Sequence, residues 1–540
     1  MASATLVPPL RVTADSAWRR IYQMSRRCCV QVPVRAHKDF ATARSTPARV
    51  GSTMCKAPTR HGPVLVNFDR DVVDAADPRR LALVALTREG ERREVNFGEV
   101  ARRSARLAGA LARRGVGRGD AVMTLIGNRP EWAYAMVACW RLGAVALPCS
   151  EQLRESDLRA RCELIWPRAV LAAEHNLASL EDSGFDGEVV LLPDERLFEE
   201  SPTAPAVDLG SESPALIVFT SGTSGKPKPI RHGARYLDGQ RVQAEHWYGA
   251  REGDLCWCTA ASGWSLSARN AFVAAWLRGA AALLHDGRFD PDERLELLGR
   301  ERVGVLCMSP TEYRAIAKRS KLRPLPSLRH AVAAGELLNP EVVRAWEESA
   351  GVAIHDGYGQ TKTGHLTGMP IGAPVRAGSM GRPLPGFRAW IEDGELVVDP
   401  ETVPTFFLDA PRDRPWRTGD RVGQDEDGYL WFEGRIDDVI ISAGYRIGPF
   451  EVESALVTHP AVAEAAAVAA PDEVRGQVVR AVVVLREGRE PSDELAGELQ
   501  EHVKGQTAPY KYPRIVDFAA ELPKTPSGKI KRAQLRGHTP

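Results

Sequence analysis

The segment Ala-Leu-Ile-Val-Phe-Thr-Ser-Gly-Thr-Ser-Gly-Lys-Pro-Lys occupies residues 215–228, and the rest of the chain is best interpreted outward from it. Its apolar start, residues 215–219, predicts a short buried strand. The strand leads into a loop of small residues that ends with Lys226 and Lys228. Small side chains let backbone N–H groups approach an anion, and lysines add positive charge, so the loop suits a polyphosphate. It is not the common nucleotide P-loop, because Pro227 follows Lys226 where that motif needs Ser or Thr. An ordinary surface turn is the alternative, unless distant residues supply the rest of a site.

The composition is that of a globular protein with more than one domain. A chain of 540 residues is too long for one compact core. Its net charge of +1 gives no electrostatic case for binding nucleic acid or an anionic membrane. The nine cysteines lack metal-ligand spacing, which favours a reducing compartment. The longest apolar run, residues 271–284, is interrupted by Arg278 and is too short to span a bilayer. We therefore expect no membrane span and a cytoplasmic location.

The first 60 residues differ from the body of the chain. They contain nine arginines but only two acids, Asp15 and Asp39, and no apolar core of a secretory signal. A mitochondrial transit peptide is one interpretation, and it would place the protein in the mitochondrial matrix. A disordered tail is another, as is upstream sequence preceding a true start at Met54. The last two are favoured, so residues 1–62 are predicted to be a basic, disordered extension.

From residue 64 onward, apolar runs alternate with helical patterns. Residues 95–114 predict an amphipathic helix that ends at Gly115, and Pro130–Leu142 predicts another helix between strands at 120–126 and 144–148. Strand, helix and strand with short connections indicate parallel β-α-β units. Asp393-Gly394 between two apolar runs predicts a β-hairpin. The expected fold class is therefore α/β with parallel sheet, followed by a smaller α+β segment from about residue 437.

Six glycine-rich or polar islands punctuate this pattern, several of them at predicted strand ends. One is the loop of residues 220–228, and the others are residues 335–336, 356–364, 418–420, 434–446 and 522–530. In open α/β sheets, ligands bind at the carboxyl ends of the strands. Each island alone is typical of a turn, but the set is not.

In this order the islands resemble the adenylate-forming superfamily, which comprises acyl-CoA synthetases, luciferases and peptide-synthetase adenylation domains. The resemblance covers residues 64–532. Within that superfamily the chain is most similar to medium-chain acyl-CoA synthetases, through residues 442–453, 471–476, 507–514 and 522–525. The resemblance implies a large N-terminal domain, residues 63–436, with parallel sheets sandwiched by helices and a β-barrel-like subdomain. It also implies a small, mobile α+β domain, residues 437–540, that swings about a hinge at Asp437.

The resemblance implies an enzyme that uses ATP, Mg²⁺ and coenzyme A. A small-molecule carboxylic acid attacks the α-phosphate of ATP to give an acyl-adenylate, and the CoA thiolate then displaces AMP. A medium-chain fatty acid or a small aromatic acid is the expected substrate. A peptide-synthetase module is disfavoured, because no carrier domain follows in the sequence. No residue of the sequence requires a luciferase-like oxidation. The oligomeric state is left open.

The resemblance also assigns roles to individual residues. For ATP and AMP it implies Thr220, Ser221, Gly222, Thr223, Ser224, Gly225, Lys226, Lys228, Gly335, Glu336, Asp356, Gly357, Tyr358, Gly359, Gln360, Thr361, Asp420, Arg435 and Lys529. For catalysis it implies Lys529, Arg446 and Thr361. For CoA it implies Gln152, Ala443, Gly444, Tyr445, Arg475, Tyr512, Pro513 and Arg514, although both arginines could be ordinary surface charges. For the acyl pocket it implies Trp264, Asn270, Cys307 and Met308.

One position departs from the pattern of the superfamily. Lys362 stands where the resemblance predicts a glutamate that helps to hold Mg²⁺, and an ammonium group cannot be a metal ligand. Three interpretations are open. Lys362 pairs with a phosphate and partly replaces the metal, or adenylation is impaired while nucleotide still binds, or the residue is an engineered or sequencing change. The second interpretation makes a nucleotide- or acyl-CoA-binding pseudoenzyme the alternative function.

Overall fold

The computed structural model describes residues 66–221, 227–336, 338–443, 445–524 and 530–536. The chain divides into two compact units, residues 1–56 and 57–540, and every described residue belongs to the second. The predicted basic extension, residues 1–62, lies outside the described residues.

Twenty-four strands are present in the described ranges. They are β1 (Leu81–Leu86), β2 (Arg92–Asn96), β3 (Ala121–Leu125), β4 (Val145–Pro148), β5 (Ala169–Ala172), β6 (Glu188–Leu191), β7 (Pro214–Ser221), β8 (Pro227–Gly233), β9 (Leu255–Cys258), β10 (Ala281–His285), β11 (Val305–Met308), β12 (His330–Ala334), β13 (Ile354–Gln360), β14 (Gly364–Gly368), β15 (Arg382–Pro383), β16 (Ala389–Glu392), β17 (Glu395–Val398), β18 (Trp416–Gln424), β19 (Leu430–Arg435), β20 (Ile440–Ser442), β21 (Tyr445–Ile447), β22 (Val462–Asp472), β23 (Gly476–Leu485) and β24 (Ile515–Phe518).

Fourteen α-helices lie between these strands in the same ranges. They are α1 (Phe97–Arg113), α2 (Pro130–Leu142), α3 (Glu155–Ile165), α4 (Leu177–Asp182), α5 (Glu195–Glu200), α6 (Arg235–His246), α7 (Ser265–Asn270), α8 (Val273–Leu277), α9 (Pro291–Arg300), α10 (Pro310–Arg319), α11 (Pro340–Ala350), α12 (Pro449–Val457), α13 (Asp493–Gln506) and α14 (Arg532–Arg536).

The strands form four sheets. Sheet A has nine strands in the order β15-β14-β13-β12-β11-β9-β10-β1-β2, and sheet B has six in the order β6-β5-β3-β4-β7-β8. Sheet A is parallel in its centre and antiparallel at both ends, whereas sheet B is parallel from β6 to β7 and antiparallel only where β8 joins β7. Sheet C, β16 to β19, is antiparallel, and the expected barrel-like subdomain takes this form. Sheet D, in the order β21-β20-β23-β22 with β24 on β23, belongs to the smaller C-terminal part. The predicted α/β class with parallel sheets and a small second domain is confirmed.

Helices cover sheets A and B on both faces. One core cluster joins inward residues of sheet A, such as Val305, with those of sheet B, such as Val218, around α1 and α2. In α2 every residue except Arg141 is buried, as expected for a helix that packs between two sheets. The outer face of sheet A packs on α9, α10 and α11, and that of sheet B packs on α3. The result is a layered sandwich whose strand ends position the site.

Two segments that the sequence predicts as loops belong to strands, the first wholly and the second in part. The segment 356–360, expected as a loop, continues β13 and pairs antiparallel with β14. Its glycines permit this pairing, because a Cβ on Gly359 would lie 2.1 Å from the carbonyl oxygen of Gly364. The residues after 219 likewise continue β7 as far as Ser221, and β8 returns antiparallel from Pro227. Strands β7 and β8 therefore form an antiparallel pair, whereas a P-loop connects a strand to a helix.

Candidate active site

Asp420 lies at the centre of a hydrogen-bond network that joins three of the predicted islands. The Tyr358 hydroxyl donates to its Oδ2, and Gln360 Nε2 donates to the same oxygen at 2.7 Å. Arg435 Nη1 donates to Oδ1 at 3.0 Å. Strand pairing explains the meeting, since Asp420 and Arg435 are register partners in β18 and β19. The structure thus brings together residues that lie up to 77 positions apart, between Tyr358 and Arg435.

The same network fixes the orientation of the surrounding side chains. Gln360 Nε2 and Arg435 Nη1 also donate to the Thr418 carbonyl oxygen, at 2.8 and 3.1 Å. Burial lowers the pKa of Arg435, but the charge and hydrogen bond of Asp420 outweigh that effect and leave its pKa raised. Burial and the neighbouring Asp420 carboxylate raise the pKa of Tyr358 well above its ordinary value. The result is a neutral phenol and a permanent cation that hold one buried carboxylate in place.

Asp356 lies in β13, the strand that pairs with β12, and β12 ends directly before the Gly335-Glu336 island. Asp356 pairs with Ala333 across the β12–β13 ladder and is buried. Burial raises its pKa to about 8, although hydrogen bonds from the Gly357 and Leu338 amides oppose the shift. The carboxyl group is therefore mostly protonated at neutral pH. Glu336 is half-buried and accepts a hydrogen bond from Thr311 at 2.7 Å.

The phosphate-loop prediction is only partly covered by the described residues. Gly222, Thr223, Ser224, Gly225 and Lys226 lie outside them, as do Gly444 and Lys529. Thr220 and Lys228 face each other in the β7–β8 hairpin, and the Thr220 hydroxyl donates to the Lys228 carbonyl at 3.4 Å. Ser221 and Arg446 are placed in strands β7 and β21.

Lys362 lies on an aromatic pair that the sequence did not suggest. Its Nζ is 4.8 Å from the ring centre of Trp416 and 5.6 Å from that of Phe407. Its carbonyl oxygen accepts from the Phe407 amide at 2.8 Å, which anchors the backbone to the same pair. Burial, together with the positive charges of Lys228 and Arg435, lowers the pKa of Lys362. Three cations therefore converge on one edge of the site.

This cationic edge does not fit a magnesium ion held by the protein. Mg²⁺ requires anionic or neutral oxygen ligands, and Lys362 offers only donors. Across the described ranges, no group of three or more His, Cys, Asp or Glu side chains is placed to hold a metal ion.

The described residues expected to bind CoA form two groups, and Gln152 lies apart from both. Tyr445 stacks on Tyr510 with ring centres 4.4 Å apart, and the adjacent Ala443 amide donates to the Arg475 carbonyl at 3.0 Å. Arg514 lies over the Tyr512 ring at 4.8 Å, next to the buried Pro513. Gln152 is exposed, and its backbone N–H donates to Ser150 Oγ at 3.3 Å. Ala443 adopts a left-handed backbone with φ of 49°, which shapes the turn before Tyr445.

Three of the four residues predicted for the acyl pocket lie on one side of sheet A. Trp264 precedes α7, Asn270 ends it, and Asn270 Nδ2 is 4.0 Å from Cys307 Sγ. Met308 packs in the cluster on the other face of the sheet, with Trp257. Neighbours in a strand point to opposite faces, so Cys307 and Met308 do not line the same space.

The predicted hinge residue lies in a short 3₁₀ turn, Ile436–Asp438, directly after β19. The Asp437 side chain is 75% exposed, and its Oδ2 is 3.8 Å from Arg435 Nη2. Its carbonyl accepts from Arg536 at 3.3 Å. The turn thus connects Arg435 of the Asp420 network to the first strand of sheet D.

Several site residues were missed by the sequence argument. Trp416 and Phe407 support Lys362, and nothing in their local sequence marks them. Arg269 is also notable, because it is buried two residues before the apolar run that begins at Ala271. A charge at the edge of an apolar segment was the signal that could have identified it.

Comparison with known proteins gives concordant results. Residues 70–404 match the AMP-binding enzyme family, and residues 451–529 match the AMP-binding enzyme C-terminal domain. The chain is 37% identical to an uncharacterized acyl-CoA ligase of Bacillus subtilis, over 86% of this chain and 94% of that protein. It is 36% identical to the mitochondrial acyl-coenzyme A synthetase ACSM4 of Mus musculus, over 87% and 90% respectively. A solved benzoate CoA ligase from Burkholderia xenovorans LB400 aligns with a TM-score of 0.77 at 26% identity, over 87% of this chain and all of that one.

In the ranges that the structure describes, no helix combines the length and the apolar character needed to cross a bilayer.

Proposed function

The chain belongs to the AMP-binding enzyme family of AMP-forming acyl-CoA ligases, and on that premise we propose that it converts a medium-chain fatty or small aromatic acid into its CoA thioester. A carboxylate oxygen of the acid bonds to the α-phosphorus of ATP, and pyrophosphate leaves. The CoA sulfur then bonds to the acyl carbon, and AMP leaves with the electron pair of the broken C–O bond. Such chemistry depends on positioned charge more than on a protein nucleophile.

The Asp420 network is the observation that carries this proposal. An ionised carboxylate has about four acceptor positions, and Tyr358, Gln360 and Arg435 occupy three of them. The remaining capacity, on Oδ1, suits a hydroxyl of the ATP ribose. A charge-assisted bond to a fixed carboxylate is about twice as strong as a neutral one. In this proposal Asp420 anchors the sugar, and the residues of β13 line the adenine and α-phosphate.

The remaining roles of the site residues are proposed from their placement beside this anchor. Thr220 and Lys228 lie on the hairpin that carries the phosphate loop, and Lys228 and Arg435 present positive charge toward Lys362. We assign the residues from 437 onward to a lid that swings about Asp437, so that Lys529 serves adenylation and the Tyr445 surface serves CoA. The stacked Tyr445–Tyr510 pair offers a flat apolar edge for the pantetheine chain.

Asp420→Asn tests the ribose anchor. The change keeps the shape of the side chain and removes its charge, so we expect the KM for ATP to rise roughly ten- to a hundredfold, the equivalent of a lost charged hydrogen bond of about 1.5–3 kcal/mol. The assay is AMP release at varied ATP, with hexanoate or benzoate and saturating CoA. Asp427→Asn is the matched control, because Asp427 lies in the β18–β19 turn and pairs with Arg376 at the surface. An unchanged KM in Asp420→Asn would remove the anchor from the proposal.

A second candidate function is favoured by Lys362. A cation supported by Trp416 and Phe407, at a position where the family pattern predicts a carboxylate, suits a protein that binds nucleotide but adenylates poorly. The two candidates differ in the rate of carboxylate-dependent ATP–pyrophosphate exchange, which is slow in wild type and restored by Lys362→Glu only if the second candidate is right.

A further inference from the structure

A cluster of buried polar side chains lies beside the predicted acyl residues, and the proposed reaction does not use it. We call it the polar cluster: His232, Tyr236, Gln240, Gln243, Arg269 and His365. Each member is at most 5% exposed. Buried polar groups almost always have hydrogen-bond partners in folded proteins. A concentration of such groups without partners therefore points to a ligand.

The polar cluster holds an unusual share of unused hydrogen-bonding capacity. Within the described residues, no partner is found for Arg269 Nε, the Tyr236 hydroxyl, either ring nitrogen of His365, or Oε1 of Gln240 and Gln243. The groups are nevertheless held in place by their other contacts. Gln243 Nε2 donates to Asn270 Oδ1 at 2.8 Å, Gln240 Nε2 donates to the Tyr236 carbonyl at 3.0 Å, and His365 lies 3.7 Å from the Trp247 ring.

Arg269 gives the polar cluster a positive charge. Burial and the charge of Arg269 together lower the pKa of His365 well below its ordinary value, so the imidazole is neutral. Burial also lowers the pKa of His232 to about 3, and Arg269 contributes to the shift. Neither histidine can offset the guanidinium, and neither adds a second positive charge. The cluster carries one fixed cation surrounded by neutral donors and acceptors.

Among the described residues, no carboxylate forms an ion pair with Arg269, and its Nη1 donates only to Ser265 Oγ at 3.3 Å. The other two buried arginines differ. Arg103 pairs with Glu99 and Glu195 at 2.9 Å, and Arg294 faces Glu312 at 3.6 Å. Arginine cannot lose its proton in a protein, and a buried unpaired charge is costly. An anion from outside the described chain would relieve that cost.

The position of the cluster identifies the anion as part of the acid substrate. Arg269 lies on α7 between Trp264 and Asn270, two of the predicted acyl residues. A Cβ on Gly357 would lie 2.5 Å from His365 Nε2, so the cluster borders the β13 segment on which the adenylate is proposed to form. The cluster therefore lies within the acyl side of the site and does not form a separate surface pocket.

We propose that Arg269 pairs with a second carboxylate on the acid, so that the enzyme activates a dicarboxylic acid at one end and holds the other end in the polar cluster. The inference rests on the proposed function and narrows its substrate class. Only the first carboxylate reacts. The second forms charge-assisted hydrogen bonds with the guanidinium, and neutral donors of the cluster, such as the Tyr236 hydroxyl, satisfy its remaining lone pairs. A plain aliphatic chain would leave Arg269 unpaired and is disfavoured.

Binding of two stable adenylate analogues tests the inference without turnover. Hexanoyl- and adipoyl-sulfamoyl adenosine differ only in the terminal carboxylate, and their affinities for the full-length protein are measured by calorimetry. We expect the adipoyl compound to bind at least about tenfold more tightly, as expected when a buried polar group is matched rather than left unpaired. Arg269→Leu should reverse this preference, and Arg269→Lys should restore part of it. Arg278→Leu is the control, because Arg278 pairs with Glu245 outside the cluster.

The outcomes separate this inference from the proposed function. Equal affinities of wild type for the two analogues, or equal effects of Arg269→Leu on both, would overturn the dicarboxylate assignment while leaving acid activation intact. Failure of both analogues to bind would overturn the acyl-adenylate site itself. The wild-type comparison decides the matter even if Arg269→Leu does not fold. A matching assay of AMP release with hexanoate and adipate should show the same preference in kcat/KM.

Discussion

Replacing Lys362 with glutamate is expected to accelerate adenylation. The substitution removes an ammonium group that lies 4.8 Å from Trp416 and 5.6 Å from Phe407. Two cation–π contacts of this kind contribute about 0.5–1 kcal/mol each at partly exposed sites. The new carboxylate would instead attract Lys228 and Arg435, whose charges now lower the pKa of Lys362. We therefore expect the free energy of unfolding to change by no more than about 1 kcal/mol, since the two effects oppose each other.

The effect on chemistry should be larger than the effect on stability. Without a metal, exchanging the ammonium group for a carboxylate would disfavour the bound triphosphate by several kcal/mol at a separation of ~6 Å and an effective dielectric constant of ~20. A carboxylate at position 362 would supply a hard oxygen ligand for Mg²⁺ beside the phosphates, which the ammonium group of Lys362 cannot do. We expect this effect to outweigh the repulsion and to give about a tenfold gain in carboxylate-dependent ATP–pyrophosphate exchange in the presence of Mg²⁺, or ~1.4 kcal/mol in the barrier.

Lys362→Gln separates the two parts of this change. It removes the cation without supplying a carboxylate, so its exchange rate should stay within about threefold of wild type if the carboxylate is what matters. Wild-type exchange as fast as that of Lys362→Glu would refute this expectation and show that adenylation does not need a carboxylate at this position. Thermal melting of all three proteins checks that any difference does not reflect unfolding.

Three further predictions concern stability and the second half-reaction. Asp356→Asn should flatten the pH dependence of stability. The Asp356 carboxyl is protonated up to pH about 8 in the folded state, whereas it is ionised above pH about 4 in the unfolded state. The free energy of unfolding of wild type therefore falls by up to ~1.4 kcal/mol per pH unit as the pH rises from about 4 to about 8. Urea unfolding at pH 5, 6 and 7 measures this slope, and an equal slope in both proteins would contradict it. Gly359→Ala should destabilise by about 2 kcal/mol or more, because its Cβ would meet the Gly364 carbonyl, whereas Gly505→Ala, in open space on α13, should be neutral or stabilising by up to ~1 kcal/mol. Equal melting temperatures for the two variants would show that β14 shifts to accommodate the added methyl group. Tyr445→Ala should raise the KM for CoA about tenfold through loss of an aromatic contact surface while leaving ATP–pyrophosphate exchange unchanged, and a loss of exchange would place Tyr445 in the adenylation site instead.

The regular part of the fold was largely predictable because local rules act within a few residues. The helix Pro130–Leu142 was predicted with its observed bounds, since Pro130 starts it and Gly143 ends it in the left-handed conformation. The Asp393-Gly394 turn joins β16 and β17 with positive φ at both residues, as the hairpin signal requires. Strand alternation could also have shown that Met308 faces away from Cys307.

The site was less predictable, because its contacts join residues far apart in the sequence. Islands of glycine and polar residues indicated which segments take part, but not that Tyr358, Gln360 and Arg435 converge on Asp420. The aromatic support of Lys362 comes from residues 45 and 54 positions further along the chain, Phe407 and Trp416. The isolation of Arg269 is likewise a property of the folded chain, since only the packing of α6, α7 and β14 shows that no acid among the described residues pairs with it.

Acid-dependent formation of a CoA thioester with release of AMP is the reaction proposed for this protein. Its most direct test is to incubate the full-length protein with ATP, CoA and one acid at a time, including hexanoate, benzoate and adipate, and to quantify AMP and acyl-CoA by mass spectrometry. We expect AMP and acyl-CoA to form in equal amounts, both to require all three substrates, and Asp420→Asn to lose most of this activity at low ATP. Absence of acid-dependent AMP from both wild type and Lys362→Glu, with every acid, would contradict it.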